Sequence, residues 1–140
     1  MAKNTIKLKK YSDVIEEFVA AGAITPGMLL KLDFNGKVAP HNEPGGNAIP
    51  MFALEDELQG KTINDAYAAD DPVQVWIAGR GDIVNAIAGA EITAGDFLVS
   101  AGAGKLKPAG TGSAAHAHSI VGQALATVST AGNRVAVRII

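Results

Sequence analysis

The chain contains an internal repeat, and this repeat limits the folds that the chain can adopt. Residues 24–40 and residues 92–108 align without a gap, and seven of their seventeen positions are identical. The identical pairs are Ile24/Ile92, Thr25/Thr93, Gly27/Gly95, Leu30/Leu98, Gly36/Gly104, Lys37/Lys105 and Pro40/Pro108. A shared pattern of this length predicts that the same supersecondary unit occurs twice.

Turn residues explain why these positions recur. In residues 25–28 proline holds the second position and glycine the third, as a type II turn requires, and residues 93–96 keep the glycine. An apolar segment follows each turn, and Asn35-Gly36 or Ala103-Gly104 then provides a tight hairpin. Each copy is therefore predicted to be a turn, a strand, a hairpin and a short return strand that ends at proline.

The repeat continues beyond the hairpins. Residues 49–54 match residues 120–125, and residues 73–77 match residues 135–139, with apolar and polar positions alternating in the last pair. Sixteen glycines and six prolines supply turns at short intervals. We expect an all-β fold, a single small β-barrel or sandwich built from two pseudo-symmetric halves. The alternative is two unrelated hairpins with similar turn chemistry, and the repeated order of the segments disfavours it.

The same pattern suggests domain boundaries. Residues 1–20 are predicted to form an extended N-terminal arm, in which the segment around Val14 fits a strand or a helix equally well. Residues 21–140 are predicted to form the β-barrel domain. Its first half is assigned to residues 21–77, a linker to residues 78–87 and its second half to residues 88–140.

Charge is distributed unevenly along the chain. The net charge is −2 and the pI is about 5.9, which disfavours a direct nucleic-acid binder because such a protein needs a basic surface. Four lysines without an acid lie in the first ten residues, whereas residues 55–71 carry six acids and one lysine. Both segments fit a solvated surface. The alternative is that the basic arm contacts an acidic surface on a neighbouring copy or partner, and we expect residues 3–11 to become ordered on binding.

Several site classes are disfavoured by the sequence. The chain has no cysteine, and no apolar run reaches the length of a membrane span. Residues 60–62 resemble the end of a phosphate-binding loop, but acids precede them and would repel phosphate. His116 and His118 could hold two metal positions with His41 as a distant third, although solvated loop histidines fit better. We predict no catalytic residue, no cofactor, no metal and no membrane association.

Two further features concern binding. Arg80-Gly81-Asp82 spells a tripeptide of cell-adhesion ligands, but its setting is that of a turn between two strands. Trp76 alternates with Val75 and Ile77, so we expect it on the opposite face. It is either a core residue or, if that face is exposed in the monomer, an interface anchor, and we count it among the candidate contact residues.

The second half also resembles a known family. Residues 92–99, 104–106, 120–125 and 135–137 are similar to the capsid decoration (cement) proteins of tailed bacteriophages. The first half matches the same pattern less well, and the resemblance covers residues 21–140.

The resemblance implies a structural subunit that binds the outer surface of a bacteriophage head and stabilises it against the pressure of packaged DNA. It implies the major capsid protein as partner, a homo-oligomer that is commonly a trimer, and a location on the virion after synthesis in the host cytoplasm. The resemblance, the basic charge of the N-terminal arm and the interface role of Trp76 together suggest candidate residues for contact with a partner. They are Lys7, Lys9, Lys10, Tyr11, Trp76 and Arg80. The alternatives are a host-contact or adhesion module on a virion and a small sugar-binding β-barrel domain.

Overall fold

The computed structural model describes residues 3–110 and 119–140, and these residues confirm the all-β class. Within them lie eleven strands and one short 3₁₀ helix, Glu57–Gln59. The strands are β1 (Lys7–Lys9), β2 (Ile15–Val19), β3 (Leu30–Leu32), β4 (Val38–Pro40), β5 (Met51–Ala53), β6 (Pro72–Ile77), β7 (Ile83–Ile87), β8 (Phe97–Gly102), β9 (Lys105–Pro108), β10 (Gly122–Ala124) and β11 (Arg134–Ile139).

The strands form three sheets. The largest has the order β1-β7-β11-β10-β8-β9, the second has the order β2-β6-β5, and β3 pairs with β4 in the third. A bridge between Leu29 and Phe52 connects the second and third sheets. The sheets formed by the described residues are not closed into a barrel, so the barrel or sandwich arrangement stays a prediction.

Backbone pairing confirms the internal repeat strand by strand. The β3–β4 hairpin corresponds to the β8–β9 hairpin, and β5 and β6 correspond to β10 and β11. Phe52 pairs with Trp76 between β5 and β6, and the equivalent residues Gln123 and Arg138 pair between β10 and β11. The turn glycine repeats as well, because the amide of Gly27 donates to the carbonyl of Ala53 at 2.8 Å and that of Gly95 to Ala124 at 2.8 Å.

The repeat also includes β2 and β7, which changes the predicted boundaries. Ile15 of β2 pairs with Trp76, and the equivalent Ile83 of β7 pairs with Arg138. The predicted arm, residues 1–20, therefore contains a strand of the first copy, and the predicted linker, residues 78–87, contains a strand of the second. We call residues 14–78 unit one and residues 82–140 unit two.

Strand β1 lies outside the repeat and is already paired within the chain. It runs antiparallel to β7, where Lys7 lies opposite Val84. The amide of the fully buried Ile6 donates to the Glu55 carboxylate at 2.9 Å, and the amide of Asn85 donates to the carbonyl of Ile6 at 2.8 Å. The expectation that residues 3–11 become ordered only on binding is therefore wrong. Glu55, assigned to a solvated loop, is buried because it holds this strand.

Each unit has its own apolar core at equivalent positions. The buried core of unit one includes Ile24, Leu30, Val38, Val73 and Val75. The equivalent residues in the core of unit two are Ile92, Leu98, Leu106, Val135 and Val137. Both sets lie on one side of their strands, since side chains alternate between the two faces of a sheet.

The other side of unit one packs against unit two. Leu29, Phe52, Leu54 and Trp76 are buried and belong to the same apolar cluster as the core of unit two. The exposed fraction of Trp76 is 0%, so Trp76 is a core residue and the alternative of an exposed interface anchor is wrong. The alternation along β6 does place Trp76 opposite Val75, but both faces of this strand are covered.

The repeat provides a matched test of packing at its turn glycines. Gly27 and Gly95 have φ angles of 92° and 94°. A Cβ atom at Gly27 would lie 2.8 Å from the backbone oxygen of Asn85 and would clash with Arg134, whereas nothing lies within 4 Å of one at Gly95.

We predict that Gly27→Ala and Gly95→Ala each lose about 1 kcal/mol of unfolding free energy from the positive φ. Gly27→Ala is expected to lose a further ~1–3 kcal/mol by overpacking. Urea unfolding of the two variants measures the difference. Equal losses of unfolding free energy would contradict the close approach of the Asn85 backbone oxygen to Gly27.

Candidate interaction surface

A buried carboxylate organises the turn that precedes β7. Asp82 is fully buried, and its oxygens accept hydrogen bonds from the amides of Tyr11 at 2.6 Å, Ser12 at 3.2 Å and Gly79 at 2.8 Å. The Ser12 hydroxyl donates a further bond at 2.7 Å. Burial by itself raises the pKa of this carboxyl, but the donated hydrogen bonds outweigh it and hold the pKa below 3.8. The ionised Asp82 therefore fixes the segment after β1 to the turn before β7.

This arrangement collects most of the candidate contact residues on one surface. The ring of Tyr11 is 69% exposed, lies beside Gly81, and has the Lys9 ammonium 5.5 Å from its centroid. Arg80 is exposed in the same turn. We call the residues of this surface the Tyr11 patch: Lys7, Lys9, Lys10, Tyr11 and Arg80.

The Tyr11 patch carries a positive charge. Lys7 and Lys10 form ion pairs with Asp13 at 3.5 and 2.9 Å. The four cations of the patch and the carboxylates Asp13 and Asp82 sum to a charge of +2, and the acidic residues 55–57 line a hollow beside Lys7 at the edge of the patch. Trp76 is not part of the patch because it is buried between the two units.

The position of Asp82 also bears on the adhesion alternative. An adhesion ligand must present its aspartate to a receptor, whereas Asp82 is buried and both of its oxygens accept internal hydrogen bonds. Only Arg80 of the tripeptide is exposed. The geometry of this turn therefore gives no support to an adhesion motif.

A second, apolar surface lies at the β3–β4 hairpin and was missed by the sequence analysis. Phe34 at the hairpin tip is 97% exposed, and Leu32 and Ile49 are also exposed. We call these three residues the hairpin patch. Leu32 and Ile49 line a hollow of about 250 Å³, whose other lining residues are Leu30, Lys31, His41, Asn47, Ala48 and Met51. An aromatic residue in a polar turn, between Asp33 and Asn35, is the sequence signal that could have indicated this surface.

The hollows do not favour a sugar-binding site. Three hollows in the described part of the chain have volumes of about 160, 270 and 250 Å³, and no phenylalanine, tyrosine or tryptophan side chain lines any of them. Sugar rings are commonly bound against aromatic faces, so these hollows lack the feature on which that alternative depends.

His41 has a structural role. Its Nδ1 lies 2.8 Å from the Ser100 hydroxyl and its Nε2 lies 2.8 Å from the carbonyl oxygen of Asn47, so it connects unit one to unit two. His116 and His118 lie outside the described residues. Residues 3–110 and 119–140 contain no group of three potential metal ligands. Within the same ranges, none of the helices has the length and apolar character to span a membrane.

The fold is similar to a known structure. No protein-family model matches the chain, and a search of curated protein sequences found no significant match. Among solved structures, the chain is similar to the head fiber gp8.5 N base of bacteriophage phi29 with a TM-score of 0.63 and 17% sequence identity. The similarity covers 92% of this chain and 95% of that chain, so the two proteins share almost their whole fold.

The role of Asp82 leads to a prediction about stability and pH. Asp82→Asn replaces the carboxylate with an amide that cannot accept hydrogen bonds from all of the donors. We expect the variant to lose about 2–3 kcal/mol of unfolding free energy at pH 7. Because the pKa of Asp82 is lowered in the folded state, its contribution is present above pH 3.8 and is lost as the pH falls below that value. Denaturant unfolding should show that the difference in unfolding free energy between wild type and variant is smaller near pH 3 than at pH 7. A difference that stays constant would contradict the ionised state.

Proposed function

We propose that this chain is a structural protein of a bacteriophage head that decorates the outer surface of the capsid. It binds the major capsid protein, acts without catalysis, and stabilises the shell against the pressure of packaged DNA. The observation that carries this proposal is the similarity to the phi29 head fiber base, which extends over nearly the whole of both chains. The resemblance of unit two to capsid decoration proteins supports the same location on the virion.

The Tyr11 patch is the surface that we assign to the capsid. Tyrosine and arginine are enriched at protein interfaces, and a tyrosine loses little conformational entropy when it is buried. Asp82 already holds the backbone of Tyr11 in place, which lowers the cost of ordering this surface on binding. The net positive charge of the patch predicts an acidic complementary surface on the capsid subunit. Trp76, which is buried, is not assigned to the contact.

Oligomerisation would give the contact its strength. We propose that the chain acts as a trimer, as the resemblance to decoration proteins implies. Three copies of the Tyr11 patch could then engage neighbouring capsid subunits at once, so that weak individual contacts combine into firm attachment. Holding adjacent subunits together in this way is the physical basis of the proposed stabilisation. It predicts a mass of three times 14.3 kDa for the free protein.

Capsid occupancy tests the assigned surface. We expect Lys9→Glu and Tyr11→Ser each to reduce the number of copies bound to purified heads at least tenfold, with the loss larger when both changes are combined. Binding of the wild type should weaken as the salt concentration rises, because an exposed charged contact is screened. The measurement is quantitative electrophoresis of heads recovered after incubation with each variant.

Lys61→Glu provides the matched control, since Lys61 is an exposed lysine that does not belong to the patch. Its occupancy is expected to equal that of the wild type. Equal losses for Lys61→Glu and Lys9→Glu would show a general charge effect and contradict the assignment of the patch. Absence of any binding by the wild type would contradict the proposed function itself.

A further inference from the structure

One contact between the two units joins two surfaces whose equivalents in the repeat are exposed. The turn of the β8–β9 hairpin in unit two packs against unit one, where the amide of Leu29 donates to the carbonyl of Gly104 at 2.9 Å and the amide of Gly104 donates to the carbonyl of His41 at 3.0 Å. Ser100, at the base of this hairpin, is fully buried and lies within hydrogen-bonding distance of His41.

The repeat identifies the equivalent positions. Leu32 and Gly36 on the β3–β4 hairpin of unit one correspond to Ser100 and Gly104, and both are exposed. Phe97 of unit two corresponds to the fully buried Leu29 but is 51% exposed. Unit one therefore has a hairpin without a docking partner, and unit two has a docking face without a hairpin, among the residues that the structure describes.

The docking face of unit two has further exposed apolar residues. Leu125 and Ile140 are exposed, although the equivalent residues of unit one, Leu54 and Ala78, are buried against unit two. We call the surface formed by Phe97, Leu125 and Ile140 the rear face. The rear face also contains Gln123 and Arg138, the equivalents of Phe52 and Trp76, so it combines apolar and polar residues as protein interfaces do.

We infer that the hairpin patch of one copy docks on the rear face of a second copy, in the orientation that the two units adopt within one chain. The inference gives the proposed trimer its contact surfaces, and it rests on that part of the proposed function. Phe34 would lie within the contact, because the equivalent Gly102 lies beside Pro44 of unit one. The partner is a second copy because its Phe97 is equivalent to Leu29, whose backbone already binds such a hairpin within one chain.

The contact is heterologous, since two different surfaces meet. Each copy then offers one hairpin patch and one rear face, and all of these surfaces are used only when the copies close into a ring. A two-fold dimer that joins two hairpin patches would leave both rear faces exposed. The inference therefore predicts a closed assembly in which every hairpin patch meets a rear face, as in the proposed trimer, and it excludes a dimer that joins two hairpin patches.

Cross-linking tests the geometry directly, because the natural chain has no cysteine. Leu32 and Ala109 are equivalent to Ser100 and His41, which are in contact within one chain. We expect a mixture of Leu32→Cys and Ala109→Cys chains to be joined in pairs by a short bis-maleimide. Each variant alone should give no linked pair. The control mixture of Leu58→Cys and Ala109→Cys should also give none, since Leu58 lies on the separate 3₁₀ helix. Pairs formed by Leu32→Cys alone, or none in the mixture, would overturn the inference.

The mass of the free protein provides a second measurement. We expect Phe34→Ser to weaken association about thirtyfold or more, as loss of an aromatic contact within an interface does, and to leave a species of 14.3 kDa. Leu58→Ser, which changes another exposed apolar residue, should keep the wild-type mass. A monomeric wild type, or an unchanged mass for a folded Phe34→Ser, would overturn the inference.

Capsid occupancy separates this inference from the proposed function. If the protein forms rings that do not bind heads, the inference stands and the proposed function fails. If a wild type that is monomeric in solution binds heads, the inference and the proposed trimer fail, and the proposed role in binding the capsid stands.

Discussion

The packing of unit one against unit two is the interaction on which the rest of the structure depends. Trp76 and Phe52 fill the space between the units, and neither unit covers this surface alone. Burial of these apolar side chains drives the packing of the units because their removal from water is favourable. The same contact holds the turn of the β8–β9 hairpin, whereas Phe34 at the tip of the equivalent β3–β4 hairpin is exposed.

Two short polar connections complete this arrangement at the other end of the fold. Glu55 holds Ile6 and Asp82 holds Tyr11, so buried carboxylates attach both ends of β1 to the body of the protein. A buried carboxylate is costly unless its oxygens are hydrogen-bonded, and backbone amides supply these bonds here. The exposed residues of the Tyr11 patch are therefore held on a rigid support, which suits a protein whose proposed work is done by its surface.

The sequence allowed the repeat to be predicted because turn glycines must recur wherever the backbone needs a positive φ, as at Gly27 and Gly95. It did not reveal that β2 and β7 are equivalent, since these strands keep little beyond their apolar ends. Asp70 adopts a positive φ of 68° where Gly132 has 94°, and the single identity Ala69/Ala131 is too little to reveal this shared turn. The burial of Trp76 could not be predicted either. Alternation assigns a face to a side chain, but only the packing of the two units decides whether that face is covered.

The similarity in fold to a phage head fiber base, the two exposed surfaces and the repeat that organises them support the proposal that this chain binds a capsid. The most direct test is a cryo-electron microscopy comparison of heads with and without the gene for this chain. The account predicts density of the observed fold on the outer surface of complete heads, absent from heads that lack the gene. Heads that contain the protein only in their interior, or heads with identical outer surfaces in both preparations, would contradict it.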